Sequence, residues 1–388
     1  MLTPRENLLR VLRHEAPEWI PICGHVDPYN QPSRVGMEPT LAAKLSQVKW
    51  GDESTIVFSR YLGIDIMDWY GRVPYRVVRR RVAVEQKREG DDTITIWHTP
   101  LGDLREVSRR CRAEGTSYRV EHLLKSAADL PVLACIFEDE EFEVDPVGVA
   151  ALANRLALIG EDGVLAMPMP GTPLGMLIRV YAGVATTAYL YADAPAALAE
   201  LFAVMEANYL RRYRMAVQYG ADLFIGVDDT STTAVSPAMF ETYCLEYTDH
   251  VVDVCHAAGK PYFHHSCGLI RDLLGLYRQT KMDGVHAFTI PPLGDVTVCE
   301  GRRRLGPDII IFAGLVQLFG SLADWAAVSR SVREMFRGAG DGRNFIAGLC
   351  ADPCKTVAET RRLLEECRKY QHPRRGRDPM KRKVGGGV

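Results

Sequence analysis

From about residue 145 onward, short apolar runs alternate with amphipathic stretches. The runs lie at 163–169, 222–227, 261–265, 283–290, 309–314 and 344–349. The stretches at 194–219, 237–258, 269–279 and 357–370 carry apolar residues at helical spacing. Buried-type strands alternating with helices predict an α/β architecture with a parallel sheet. Two earlier runs, 20–26 and 64–70, bring the strand count to eight, which predicts a (β/α)8 TIM barrel. A doubly wound open sheet is the alternative, but no glycine-rich dinucleotide fingerprint follows any of the runs. At the start, Thr3-Pro4-Arg5-Glu6 offers an N-cap, a proline at the first helical position and a glutamate at the third. That predicts a helix running through Leu12 and ended by Pro17.

Residues 72–110 have a different texture. They alternate or are rich in β-branched residues, and Arg88-Glu89-Gly90-Asp91-Asp92 is a hairpin turn signal. An antiparallel hairpin insertion is expected there, with Arg79-Arg80-Arg81 on a solvated edge. After residue 370 the pattern stops. Residues 371–388 hold six cations against one Asp and end in glycines, which reads as a disordered basic tail behind a single barrel domain at 1–370.

Composition narrows the function classes. The 388 residues are 47% apolar with a net charge of −2, so a dedicated nucleic-acid binder lacks its basic footprint. No run approaches the length of a membrane span, and the polar start Met1-Leu2-Thr3-Pro4 does not resemble a secretory leader. Ten irregularly spaced cysteines then read as reduced thiols of a cytoplasmic protein.

In a barrel, chemistry sits where strands finish. Reading only those positions gives His25 and Asp27, then Asp228-Asp229, His264-His265-Ser266-Cys267, His286, and Cys350 followed by Cys354. His265, Cys267 and Cys350 form an imidazole–thiolate set that suits zinc and leaves one position open. A buried structural cysteine and a satisfied histidine explain the same residues equally well. Adjacent strand residues point to opposite sides, so His265 shares the parity of Cys267 and His264 does not. Cys354 is the alternative third ligand. Asp228 and Asp229 are candidate catalytic acids, the alternative being strand-end caps. Tyr29, Trp69, Tyr70, Tyr75 and Trp97 are candidate aromatic contacts for a substrate, with core packing as their ordinary role.

Several segments together resemble the uroporphyrinogen decarboxylase superfamily. They are Thr3 to Arg10 with His14-Glu15-Ala16-Pro17, Gly171-Thr172-Pro173, Gly226-Val227-Asp228-Asp229, Ser236-Pro237, Gly259-Lys260-Pro261, His265-Ser266-Cys267-Gly268 and Ala313-Gly314. The decarboxylases of that superfamily carry an arginine-rich loop after the first strand. Here Cys23-Gly24-His25-Val26-Asp27-Pro28-Tyr29-Asn30 stands there, with no arginine before Arg34. A polycarboxylate substrate would lack its cations. The zinc-dependent corrinoid methyltransferases of the superfamily carry His-x-Cys and a distant Cys, which His265, Cys267 and Cys350 match. Gly348-Leu349-Cys350 replaces that branch's more usual Pro-Gly-Cys.

The resemblance implies Zn2+ held by these three residues and a methyl group exchanged between a small-molecule donor or acceptor and cobalt. The corrinoid (cobalamin) would be supplied by a partner protein. Read from the strand ends and the aromatics near them, the expected substrate contacts are His25, Asp27, Tyr29, Tyr70 and His286, and a homodimer is compatible with the resemblance. A methoxylated aromatic or other O-methyl donor is the expected substrate class. A metal-independent decarboxylase-like lyase is the alternative enzyme, and a methyl-handling accessory protein with structural zinc the alternative without activity.

Overall fold

The computed structural model describes residues 2–25, 38–47, 53–69, 72–112, 116–314, 324–350 and 356–371. The eight expected runs all form strands: β1 (Ile22–His25), β2 (Ile66–Asp68), β9 (Gly163–Pro170), β10 (Leu223–Val227), β11 (Tyr262–His265), β12 (Gly284–Thr289), β13 (Ile310–Gly314) and β14 (Phe345–Cys350). They pair in the order β1-β14-β13-β12-β11-β10-β9-β2, and a parallel bridge between Cys23 and Asp65 brings the two edges together. With helices around it, this is a (β/α)8 TIM barrel.

One side-chain parity of the strands fills the barrel. Cys23, Met67, Val164, Ala166, Leu223, Ile225, Phe263, Ile310, Phe312 and Ile346 form this inner core. The helix Pro4–Leu12 closes its lower end by adding Leu8, Val11 and Leu12 to the same cluster. Thr3 and Glu6 make the expected capping box, and Arg5 reaches the start of β9 and the carboxylate of Asp222. The opposite parity packs against the helices. Buried Asp68 does so through a bidentate ion pair with Arg155, which fixes the end of β2 next to Trp69.

The insertion is larger than expected. It is a four-stranded antiparallel meander of β4 (Ala83–Glu89), β5 (Asp92–Thr99), β6 (Gly102–Cys111) and β7 (Thr116–Glu121), so it runs past residue 110. The tight turn falls at Gly90, whose φ of +62° suits glycine. Residues 72–82 do not join it as the first hairpin arm. Instead β3 (Tyr75–Val78) pairs with β8 (Glu141–Val144), a partner 63–69 positions away that no local pattern reveals. The arginine run 79–81 is likewise not a free edge. Arg79 pairs with Glu140, Arg80 with Glu141 and Arg81 with Asp139. Among the described residues no single helix is long and apolar enough to cross a membrane.

Candidate active site

The upper mouth of the barrel collects the polar strand ends. On β11 the inner parity that carries Phe263 continues to His265 and then to Cys267, just past the strand. His265 is the ladder partner of His286 on β12, and their Nδ1 atoms stand 2.8 Å apart, one ring donating to the other. Trp69, two residues past inner-facing Met67, stacks on His265 at 5.7 Å with an 18° interplanar angle. The same indole lies 5.0 Å from His286, whose other side meets the edge of Phe312 at 4.8 Å. Two imidazoles are thus held in an aromatic box. Burial lowers the His265 pKa to about 4, with His264 and Arg179 adding to the effect. A neutral imidazole at physiological pH is the state a metal requires.

Cys267 is exposed, and its thiol pKa is raised by desolvation and by the charge of Asp229. Asp229 itself is raised by burial first and by Asp228 second. The two acids have different surroundings. Asp228 is buried at 2% exposure and accepts the backbone N–H of Thr172 at 2.5 Å and of Asp229 at 2.9 Å. A Cβ on Gly175 would lie 1.4 Å from its Oδ1, so this carboxylate is wedged under the loop 171–175. Of the two candidate acids, Asp229 is half-buried in the segment after β10, and Asp228 is the anchor of a loop.

His264 takes the outer position that parity assigns. It is fully buried, its Nε2 meets Thr230 Oγ1 at 2.8 Å, and burial lowers its pKa to about 4. Thr230, Ser266 and Tyr277 complete a closed set of hydroxyl contacts at 2.8–3.3 Å. This network, from two strand-end loops and a helix, sits behind the mouth and was invisible in the sequence. Tyr75 and Trp97 stand away from the strand ends, Tyr75 against Phe142 and Trp97 under the Arg79 guanidinium. Cys255 is plain core, as its helical position suggests.

Asp27, Tyr29, Tyr70 and Cys354 lie outside the described residues, and for His25 and Cys350 only the backbone is described. That backbone still bears on the proposed metal. His25 and Cys350 are ladder partners at the ends of β1 and β14. His265 pairs with His286 on β12 and Phe312 on β13 pairs with Ile346 on β14, with a register shift between β12 and β13 around Val285 and Phe288. Among the described residues no three His, Cys, Asp or Glu side chains gather closely enough to hold an ion. The residues fit zinc in kind: an imidazole held neutral, a cysteine two residues further on past the same strand, and Cys350 at the end of β14.

Comparisons with known proteins agree with this frame. The uroporphyrinogen decarboxylase (URO-D) family model matches residues 152–370. The chain belongs to that family. A uroporphyrinogen decarboxylase of Myxococcus xanthus (strain DK1622) is 26% identical over 236 residues, which cover 58% of this chain and 63% of that relative's own length. Among solved structures, a methyltransferase from Methanosarcina mazei superposes with a TM-score of 0.59 at 13% identity, over 95% of this chain and 99% of that one. That likeness is one of fold.

Proposed function

We propose that the protein is a zinc-dependent methyltransferase that moves a methyl group between a small substrate, an O-methyl donor such as a methoxylated aromatic, and the cobalt of a separate corrinoid protein. The observation that carries this reading is a neutral His265 at the end of β11 with Cys267 two residues beyond it, Cys350 ending β14 of the same barrel. The fold shared with a solved methyltransferase and the missing arginines of the first loop support it.

His265, Cys267 and Cys350 would hold the ion, which supplies Lewis acidity toward the substrate's oxygen or sulfur. The chain's own residues do the rest. Trp69 and His286 wall the site with aromatic surface and exclude water from one side. Asp229, whose pKa is raised by burial and by Asp228, is the acid that would give a proton to the oxygen departing with the electron pair of the broken methyl–oxygen bond. Asp228 keeps the loop 171–175 in place. His25, Asp27, Tyr29 and Tyr70 would add the substrate contacts expected of them from the sequence.

The test combines metal analysis with turnover. The purified chain is expected to hold about one zinc, lost in Cys267→Ala and Cys350→Ala with the fold retained, and kept in Cys354→Ala. Incubated anaerobically with reduced cobalamin and methoxylated arenes, the wild type is expected to form methylcobalamin, seen by its absorbance. A metal-free chain that decarboxylates a carboxylated substrate overturns the reading in favour of a lyase. Unfolding on chelation would assign the zinc a structural role instead.

A further inference from the structure

Beyond β9 the chain leaves the ordinary helical repeat at Leu177–Tyr181, where a single wide turn carries Arg179. Wide turns of this kind are frequent at functional positions. Arg179 Nη2 lies 3.1 Å from Met176 Sδ and 3.3 Å from the carbonyl oxygen of Val227. Val227 ends β10 and is the ladder partner of His265, so the guanidinium lies over the strand end next to the site. Its charge is felt by Asp228, Asp229 and His265.

Other arginines near this turn are committed elsewhere. Arg119 pairs with Glu106, and Arg212 with Glu140. Arg179 has no such partner among the described residues: no carboxylate stands within ion-pair distance of it. A guanidinium has five N–H donors in a fork that matches a carboxylate. One carbonyl and one thioether leave most of that fork unused, at the rim of the proposed reaction site.

We propose that Arg179 anchors the substrate by an acidic group, so that the chain acts on small monoacids whose methyl-bearing end lies at His265 and Cys267. Arg179, unpaired among the described residues, selects a carboxylate, in contrast to the polycarboxylate that an arginine-rich first loop would hold. That the acid is a methyl donor rests on the methyl-transfer reading; that it binds at Arg179 does not.

The experiment separates the two. Dissociation constants are measured by calorimetry for two matched pairs, 3-methoxybenzoate against 3-methoxybenzamide and methoxyacetate against methoxyacetamide. Arg179 is exposed, so solvent screening limits the gain, and the wild type is expected to prefer the acids by about tenfold. Arg179→Met should abolish the preference and Arg179→Lys should keep part of it, both with an unchanged circular dichroism spectrum. Equal affinity for acid and amide, no saturable binding of either acid, or an undiminished preference in Arg179→Met overturns the proposal. If the acids bind through Arg179 but no methylcobalamin forms from them, the anchor stands and the methyl-transfer reading fails.

Discussion

Two adjacent carboxylates, Asp228 and Asp229, show how neighbours in sequence part in role. Asp228 is a buried acceptor of two backbone N–H groups. Asp228→Ala leaves both donors buried and unpaired, so a loss of about 2–4 kcal/mol is expected in urea denaturation. Asp229 is less buried, and among the causes of its pKa shift the only hydrogen bond is from the backbone N–H of Ser231. Asp229→Ala is expected to stay within about 1 kcal/mol of wild type while turnover falls by about 10²-fold or more, as for removal of a general acid. Equal stability losses in the two variants would refute this division. Asp65 is a third case. Burial raises its pKa to about 6, against hydrogen bonds from Ile22 N–H and the Trp19 indole. The folded carboxyl therefore takes up a proton that the unfolded chain has already lost, and its contribution to stability falls as pH rises from about 4 to 6. Asp65→Asn does not titrate. Its stability relative to wild type is expected to improve across that window by up to about 3 kcal/mol, read from paired denaturation curves at pH 4.5 and 7.

At the scale of elements, β11 joins two kinds of chemistry through its period of two. Its inner residue His265 belongs to the mouth, and its outer residue His264 belongs to the hydroxyl network of Thr230, Ser266 and Tyr277. That network ties the loop after β10 to the loop after β11. Tyr277→Phe removes the phenol's contacts to Ser266 at 2.8 Å and Thr230 at 3.1 Å. A loss of about 1–3 kcal/mol is expected, together with a weaker zinc affinity measured by chelator competition. Unchanged affinity would show that the network only stabilises. The alternation along β11 was legible because parity is local. The network was not, because Thr230 and Tyr277 are 47 positions apart and meet only through the curl of the sheet. The same distinction runs through the fold. All eight barrel strands could be read as apolar runs, since each is buried on both faces. The pairing of β3 with β8, Arg179 at the rim and the loop-anchoring of Asp228 depend on contacts between distant segments, and no spacing announces them.

The molecule as a whole is closed at its lower end by contacts from its first residues to its last strands. Arg5 holds Asp222 before β10, and Asn7 receives Glu18 N–H and donates to the Trp19 carbonyl. Ile20 N–H reaches the Gln371 carbonyl at 2.7 Å, so the two ends of the described chain meet there. Beyond the first helix His14 adopts a φ of +61° and places Nδ1 3.0 Å from Asn344 Oδ1 and Nε2 3.7 Å from Asp283. Asp283 also meets His256 Nε2 at 2.8 Å and accepts Tyr262 N–H at 2.7 Å. Its burial alone would raise the carboxyl pKa, but the bonds from His14, Tyr262 and His256 outweigh it and hold it low. The bond to Asp283 raises the His14 pKa against the cost of burial. A histidine raised in the folded state contributes stability that is full below its unfolded pKa and is lost as pH rises through the folded value. The Asp283 contribution behaves oppositely, lost only as pH falls through a depressed carboxylate value. The latch is therefore intact in mildly acidic solution and weakens from neutral pH upward. His14→Asn tests this, because asparagine tolerates the positive φ and does not titrate. Wild type is expected to exceed the variant by about 1 kcal/mol at pH 6 after solvent screening, with the gap narrowing by pH 8.5 in thermal melts. A gap that widens as pH rises would mean that the strained turn, not the His14–Asp283 pair, sets how firmly the first helix closes the barrel.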